Sequence, residues 1–176
     1  LCIVGGATAL VLHALVLNDF GGLSRHPDES GRFDLAPADL GDLRALFYVS
    51  AYFLVLGLVF LAILSVEALI LGVVLAILSC LYSHPRFYWK ATCFRAPAVH
   101  LASGYGLYLL GALRDGDALS TEMLAQGLFF ALIMVGGLFI HQSLHDQEDA
   151  QGGQQTFAVR YGRARAVVFG VGVFLC

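Results

Sequence analysis

Charge is what this chain has least of. Its 176 residues hold 10 basic and 13 acidic side chains, 13% in all, against about 25% in an ordinary soluble domain. A globule of this length has a wide surface to cover with polar groups, and so few charges do not cover it. That scarcity excludes a soluble globule and a disordered segment. The formal net charge is only −3, so there is no positive field to gather polyanions, which excludes a nucleic-acid binder. The four cysteines, Cys2, Cys80, Cys93 and Cys176, have no short spacing. They read as small apolar residues, not as a metal site or disulfide framework. Apolar residues make up 59% of the sequence, against about 45–50% in soluble domains. The composition is that of a membrane protein.

The apolar residues fall into runs. Spans are expected at about 1–17, 45–64, 67–83, 96–113 and 122–141, and a sixth begins at 164 and stays apolar to 176. A helix needs about 20 mostly apolar residues to cross the roughly 30 Å hydrocarbon layer. None of the runs alternates with the period of two that a barrel requires, so the expected fold is all-α, a polytopic transmembrane helical bundle. It reads as one membrane domain over 1–176. Because both ends lie inside apolar runs, it also reads as the middle of a longer bundle, truncated at both ends.

Loop charge sets an orientation. The segments 18–44, 84–95 and 142–163, with Arg165 just beyond, hold nine of the ten basic residues, and the alternate connections hold only Arg114. By the positive-inside rule these three loops are cytoplasmic. Nine of the thirteen carboxylates lie there as well. They are Asp19, Asp28, Glu29, Asp34, Asp39 and Asp42 in the first loop, and Asp146, Glu148 and Asp149 in the third. Two readings stand. One is a solvated, charged loop surface. The other is a pair of acidic clusters holding Mg²⁺, which takes one or two carboxylates, several waters and substrate phosphate oxygens.

The residues at the span ends add to this. Asn18-Asp19 follows the first span. Tyr82-Ser83-His84-Pro85 follows the third, with Arg86, Tyr88 and Lys90 just beyond. After the fifth come His145-Asp146-Gln147-Glu148-Asp149, then Gly152-Gly153-Gln154-Gln155-Thr156 and a short run to Gly162. In order and spacing this resembles a UbiA-type intramembrane prenyltransferase. That family carries N-D-x-x-D-x-x-x-D, Y-S-x-P-P-x-R-x-K and D-x-x-x-D motifs, the last followed by G-x-x-T. The resemblance covers the whole chain, as spans two to six with the start of span seven. The sequence departs from the pattern at Gly22, His26 and His145, where the family has aspartates, and at Tyr88, where it has arginine.

The resemblance implies transfer of an isoprenoid from its diphosphate to a membrane-associated acceptor, aromatic or lipid, with Mg²⁺ as cofactor. Asp19, Asp146 and Asp149 would hold the metal. Asn18, Tyr82, Ser83, Arg86, Lys90 and Thr156 would bind substrate, with Asp19, Lys90 and Asp149 central to catalysis. The partners would be the isoprenoid diphosphate, the acceptor and the lipid bilayer, with no nucleic acid. A catalytically inactive or repurposed relative that binds an isoprenoid lipid is the alternative. His13 and His100, inside spans, read as interhelical hydrogen-bonded residues. Tyr48, Tyr52, Phe53 and Phe60 read as packing, and 27–44 as a loop with a short helix from Pro37. His145 in an aspartate position is a poor Mg²⁺ ligand, since imidazole suits Zn²⁺ or Fe better.

Overall fold

The computed structural model of the protein describes residues 1–25, 40–113 and 120–175. Its helices are α1 (Cys2–Arg25), α2 (Leu40–Leu64), α3 (Val66–Ser83), α4 (Arg95–Ala112), α5 (Thr121–Leu144), α6 (Asp146–Gln151), α7 (Phe157–Tyr161) and α8 (Arg163–Phe174), with one 3₁₀ turn at Trp89–Ala91. The fold is all-α and polytopic. Among the described residues four helices, α1, α2 from Gly41 onward, α3 and α5, are long and apolar enough to cross a membrane. The chain is an integral membrane protein on that ground. Most of the surface of α2 is apolar and exposed, with Val55, Val59 and Ile63 half or more uncovered, which costs nothing where the solvent is lipid.

The segment read as one membrane domain folds as two compact units, Leu1–Tyr88 and Trp89–Cys176. In the first, α1 and α2 cross closely at Gly6 and Gly57, where a methyl group would come within 3.3 Å of a backbone carbonyl oxygen. Small residues at a crossing let van der Waals packing do what hydrophobicity does in water. One buried polar pair joins the same helices. The Nδ1–H of His13 is shared between the Ser50 carbonyl at 3.0 Å and Ser50 Oγ at 2.8 Å, and the Ser50 hydroxyl donates to the His13 carbonyl at 3.2 Å. In the second unit, α5 packs against α4 at Ala131 and Gly104, and against α8 at Gly136 and Gly170. His100 Nδ1 lies 3.3 Å from the Ala96 carbonyl one turn back on its own helix.

Helix boundaries differ from the sequence expectation where polar residues begin. α1 does not stop at Leu17 but runs to Arg25, because no proline interrupts 18–25 and packing of Gly21 against Ser83 offsets the weak helix preference of Gly21-Gly22. Asn18 and Asp19 therefore stand inside the helix, not in a loop. α2 likewise starts at Leu40. α5 runs to Leu144, and only His145 separates it from α6. His26 and residues 27–39, with Asp28, Glu29, Asp34, Pro37 and Asp39, lie outside the described residues, as do Arg114 and Cys176.

Candidate functional site

In the first unit, the last turns of α1 lie against the end of α3. A Cβ on Gly21 would run into the carbonyl oxygen of Ser83, so the two backbones approach as only glycine allows. One turn on, Arg25 donates from Nε and Nη2 to the Pro85 carbonyl at 3.1 and 2.7 Å. Its guanidinium also sits 4.4 Å from the centre of the Tyr88 ring. Phe20 meets His84 with ring centres 6.4 Å apart. Tyr88 is buried and adopts φ +48°, a left-handed conformation uncommon outside glycine, and Arg25 stacked on its ring helps to hold it there. Together these contacts fasten the Asn18-Asp19 turn to the Tyr82–Tyr88 segment. Asn18 and Tyr82 are half-buried, Ser83 is buried, and Asp19 and Arg86 are exposed. The Arg86 backbone N–H donates to His84 Nδ1 at 3.2 Å.

The second unit builds its part from three pieces. After the Trp89–Ala91 turn, the Ala91 carbonyl accepts the Gln155 N–H at 2.8 Å, and Thr92 and Gln155 form an isolated parallel bridge. This sets the turn that carries Lys90 beside the strand-like residues leading to Thr156. At the end of α5, buried Gln142 accepts the Phe157 N–H on Oε1 at 3.2 Å. Between them lies α6, which ends at Gly152 and turns back through Gly153 at φ +68°. The Gln154 N–H closes that turn on the Asp149 carbonyl at 2.8 Å. Thr156, buried at the start of α7, then donates from Oγ1 to Asp149 Oδ2 at 3.2 Å.

Asp149 is half-buried, and burial pushes its carboxyl above the ordinary carboxylate range. The Thr156 hydrogen bond and the nearby His141 and His145 pull the other way, and Glu148 adds to the upward push. Asp146 lies three residues earlier and is also half-buried, a spacing that puts both carboxylates on one helix face. His145 is engaged within the chain, with its Nδ1–H donating to Glu148 Oε2 at 2.8 Å and its ring 4.6 Å from that of His141. Cys93 is buried, which pushes its thiol upward against the pull of Arg160.

Of the residues the sequence singles out, Asn18, Asp19, Tyr82, Ser83 and Arg86 fall in the first unit, and Lys90, Asp146, Asp149 and Thr156 in the second. Among the described residues no group of three or more His, Cys, Asp or Glu side chains is set to hold a metal ion. An all-protein cage of the Zn²⁺ kind is therefore not found among them. The Asp146–Asp149 pair still fits Mg²⁺, which asks for one or two hard oxygens and leaves the rest to water and phosphate. A carboxylate whose charge is disfavoured by burial is one that a cation would stabilise. Sequence reading missed Gly21, Arg25 and Gln142. The signal for Arg25 was there, a lone arginine one turn after a Gly-Gly pair, but counting it as loop charge hid its role. No family model matches the chain, and neither does any curated protein or solved structure.

Proposed function

We propose that the protein is a UbiA-type intramembrane prenyltransferase, moving an isoprenoid group from a polyprenyl diphosphate to an aromatic or lipid acceptor at the cytoplasmic membrane face. One observation carries the reading. The Asp149, Gly153 and Thr156 positions of the second acidic motif form one hydrogen-bonded turn, and that turn pairs through Gln155 with Ala91, the neighbour of Lys90. Residues far apart in sequence that the motif spacing assigns to one chemistry thus share one backbone junction.

The reaction breaks the allylic C–O bond, the electron pair leaves with diphosphate, a bond forms to the acceptor, and the acceptor gives up a proton. Mg²⁺ would neutralise the charge that develops on the leaving group. Asp146 and Asp149 would hold it, and the resemblance alone names Asp19 as a third ligand. Thr156 positions Asp149 through its hydroxyl. Lys90, as a point charge, and Arg86, as a fork, bind diphosphate oxygens. Asn18, Tyr82 and Ser83 supply neutral polar contacts. The apolar helix faces take the isoprenoid tail and keep water from the allylic cation. The cytoplasmic side follows from the basic loops and from solubility, since a diphosphate head stays wet where its tail does not.

The test is transfer of a radiolabelled isoprenoid from its diphosphate in membranes carrying the full-length protein, with and without Mg²⁺. Label should appear in an acceptor only with the metal. Retention of label without transfer would favour the second reading, a relative that binds the lipid and no longer turns it over. The His145–Glu148 bond supports that alternative, because it engages within the chain the position where the family has an aspartate.

A further inference from the structure

The second unit carries a set of cations that the proposed chemistry does not use. Arg95 opens α4, Arg160 lies in α7, and Arg163 and Arg165 open α8. The Ala91–Gln155 and Gln142–Phe157 hydrogen bonds gather these helix ends at the same end of the unit. All four arginines are exposed. Among the described residues, no salt bridge joins any of them to a carboxylate.

Aromatic rings stand beside them. The Arg95 guanidinium lies 5.2 Å from the centre of the Trp89 ring, and that of Arg160 lies 6.0 Å from Phe94 and 5.6 Å from Tyr161. Phe94 and Tyr161 are themselves 6.4 Å apart. Phe94 is 63% exposed. An exposed phenyl ring beside a guanidinium is poorly placed in water but well placed at a bilayer surface. There the ring reaches the acyl boundary and the guanidinium stays among headgroups. The apolar runs of α4 and α8 lead away from this edge.

We propose that Arg95, Arg160, Arg163 and Arg165, with the rings of Trp89, Phe94 and Tyr161, form a seat for the phosphate headgroups of acidic phospholipids. Guanidinium groups grip phosphate oxygens through paired hydrogen bonds, and the rings lodge beside the first carbons of the acyl chains. A soluble phosphate would account for the cations and leave the exposed ring unexplained.

Native mass spectrometry of the full chain in detergent, titrated with phosphatidylglycerol or with phosphatidylcholine of the same acyl chains, reads the seat directly. Phosphatidylglycerol should be retained at least about tenfold better, and each arginine changed to glutamine should lower that retention about fivefold. Arg163→Gln alone reads this should the combined Arg160→Gln, Arg163→Gln, Arg165→Gln variant fail to keep its helicity. Phe94→Ser should weaken retention of phosphatidylglycerol with the charge unchanged. Equal retention of the two lipids, or a folded glutamine variant that holds phosphatidylglycerol as well as the parent, would overturn the proposal. So would displacement of the lipid by millimolar inorganic pyrophosphate, which would assign the cations to a soluble anion.

Discussion

The two units spend their polar residues differently. The first buries its polar pair, His13 and Ser50, in mid-helix, where they hydrogen-bond each other through His13 Nδ1 across the α1–α2 crossing. Its motif end is held by backbone proximity at Gly21 and by Arg25 on the Pro85 carbonyl, while Asp19 stays exposed. The second unit places Gln142, Ser143 and Thr156 buried at the end of α5 and the entry to α7, and there Thr156 donates to the half-buried carboxylate of Asp149. One unit uses polarity between spans, the other beside a carboxylate. By that contrast Asp149 is the carboxylate that the fold half-buries, and Asp19 the one it leaves exposed.

Asp149→Asn is therefore the largest lever on the proposed activity. Transfer should fall at least about a hundredfold, the scale of losing one electrostatic group aimed at a developing charge. Asp19→Asn, on an exposed carboxylate, should cost about tenfold or less. Equal losses in the transfer assay would break the contrast. On stability the larger effect belongs to the first unit. Gly21→Ala drives a methyl group into the Ser83 carbonyl, which must shift with its helix, and should cost about 1–3 kcal/mol with an earlier thermal melt in detergent. Gly137→Ala in α5, where an added methyl group meets nothing within 4 Å, should stay within about 0.5 kcal/mol. Next in size, Ser50→Ala removes both of its hydroxyl contacts with His13 and should cost about 1 kcal/mol, in keeping with interhelical hydrogen bonds in membranes.

The helices were legible because apolar runs of span length have few other fates. Their ends were not, because the runs mark where lipid stops, not where hydrogen bonding stops. α1 continues through Asn18, Asp19 and Gly21 to Arg25 on the strength of packing against the end of α3, a contact between residues far apart in the chain that no local pattern encodes. His13 reads from sequence as an interhelical hydrogen-bonded residue and does bond Ser50. His100, read the same way, lies near the Ala96 carbonyl of its own helix, with His141 of α5 close enough to act on it. The Asp149, Gly153 and Thr156 positions stood out only through the resemblance, and that they form one turn, with Gly153 at φ +68° and Thr156 on Asp149, comes from the structure. Gln142 was not, since a glutamine inside an apolar run gives no hint that the helix entry at Phe157 needs its carbonyl oxygen.

The smallest effect tests the carboxylate's environment without any substrate. Burial holds the Asp149 carboxyl above its ordinary value, with the Thr156 bond opposing, so the folded state binds its proton more tightly than the unfolded chain does. The stability this contributes is complete below the ordinary aspartate value, about 3.9, and is lost as pH rises through the folded-state value. Above that, the ionised group detracts from the fold. Asp149→Asn should therefore melt no earlier than the parent at neutral pH, and any advantage should shrink in acid. Thr156→Val removes the bond that favours the ionised form and should widen the parent's loss between acid and neutral pH, whereas Thr156→Ser keeps it. Added Mg²⁺ should raise the parent's melting temperature at neutral pH and leave that of the Asp149→Asn variant nearly unmoved, because a cation at this carboxylate relieves the same unfavourable charge that the amide lacks.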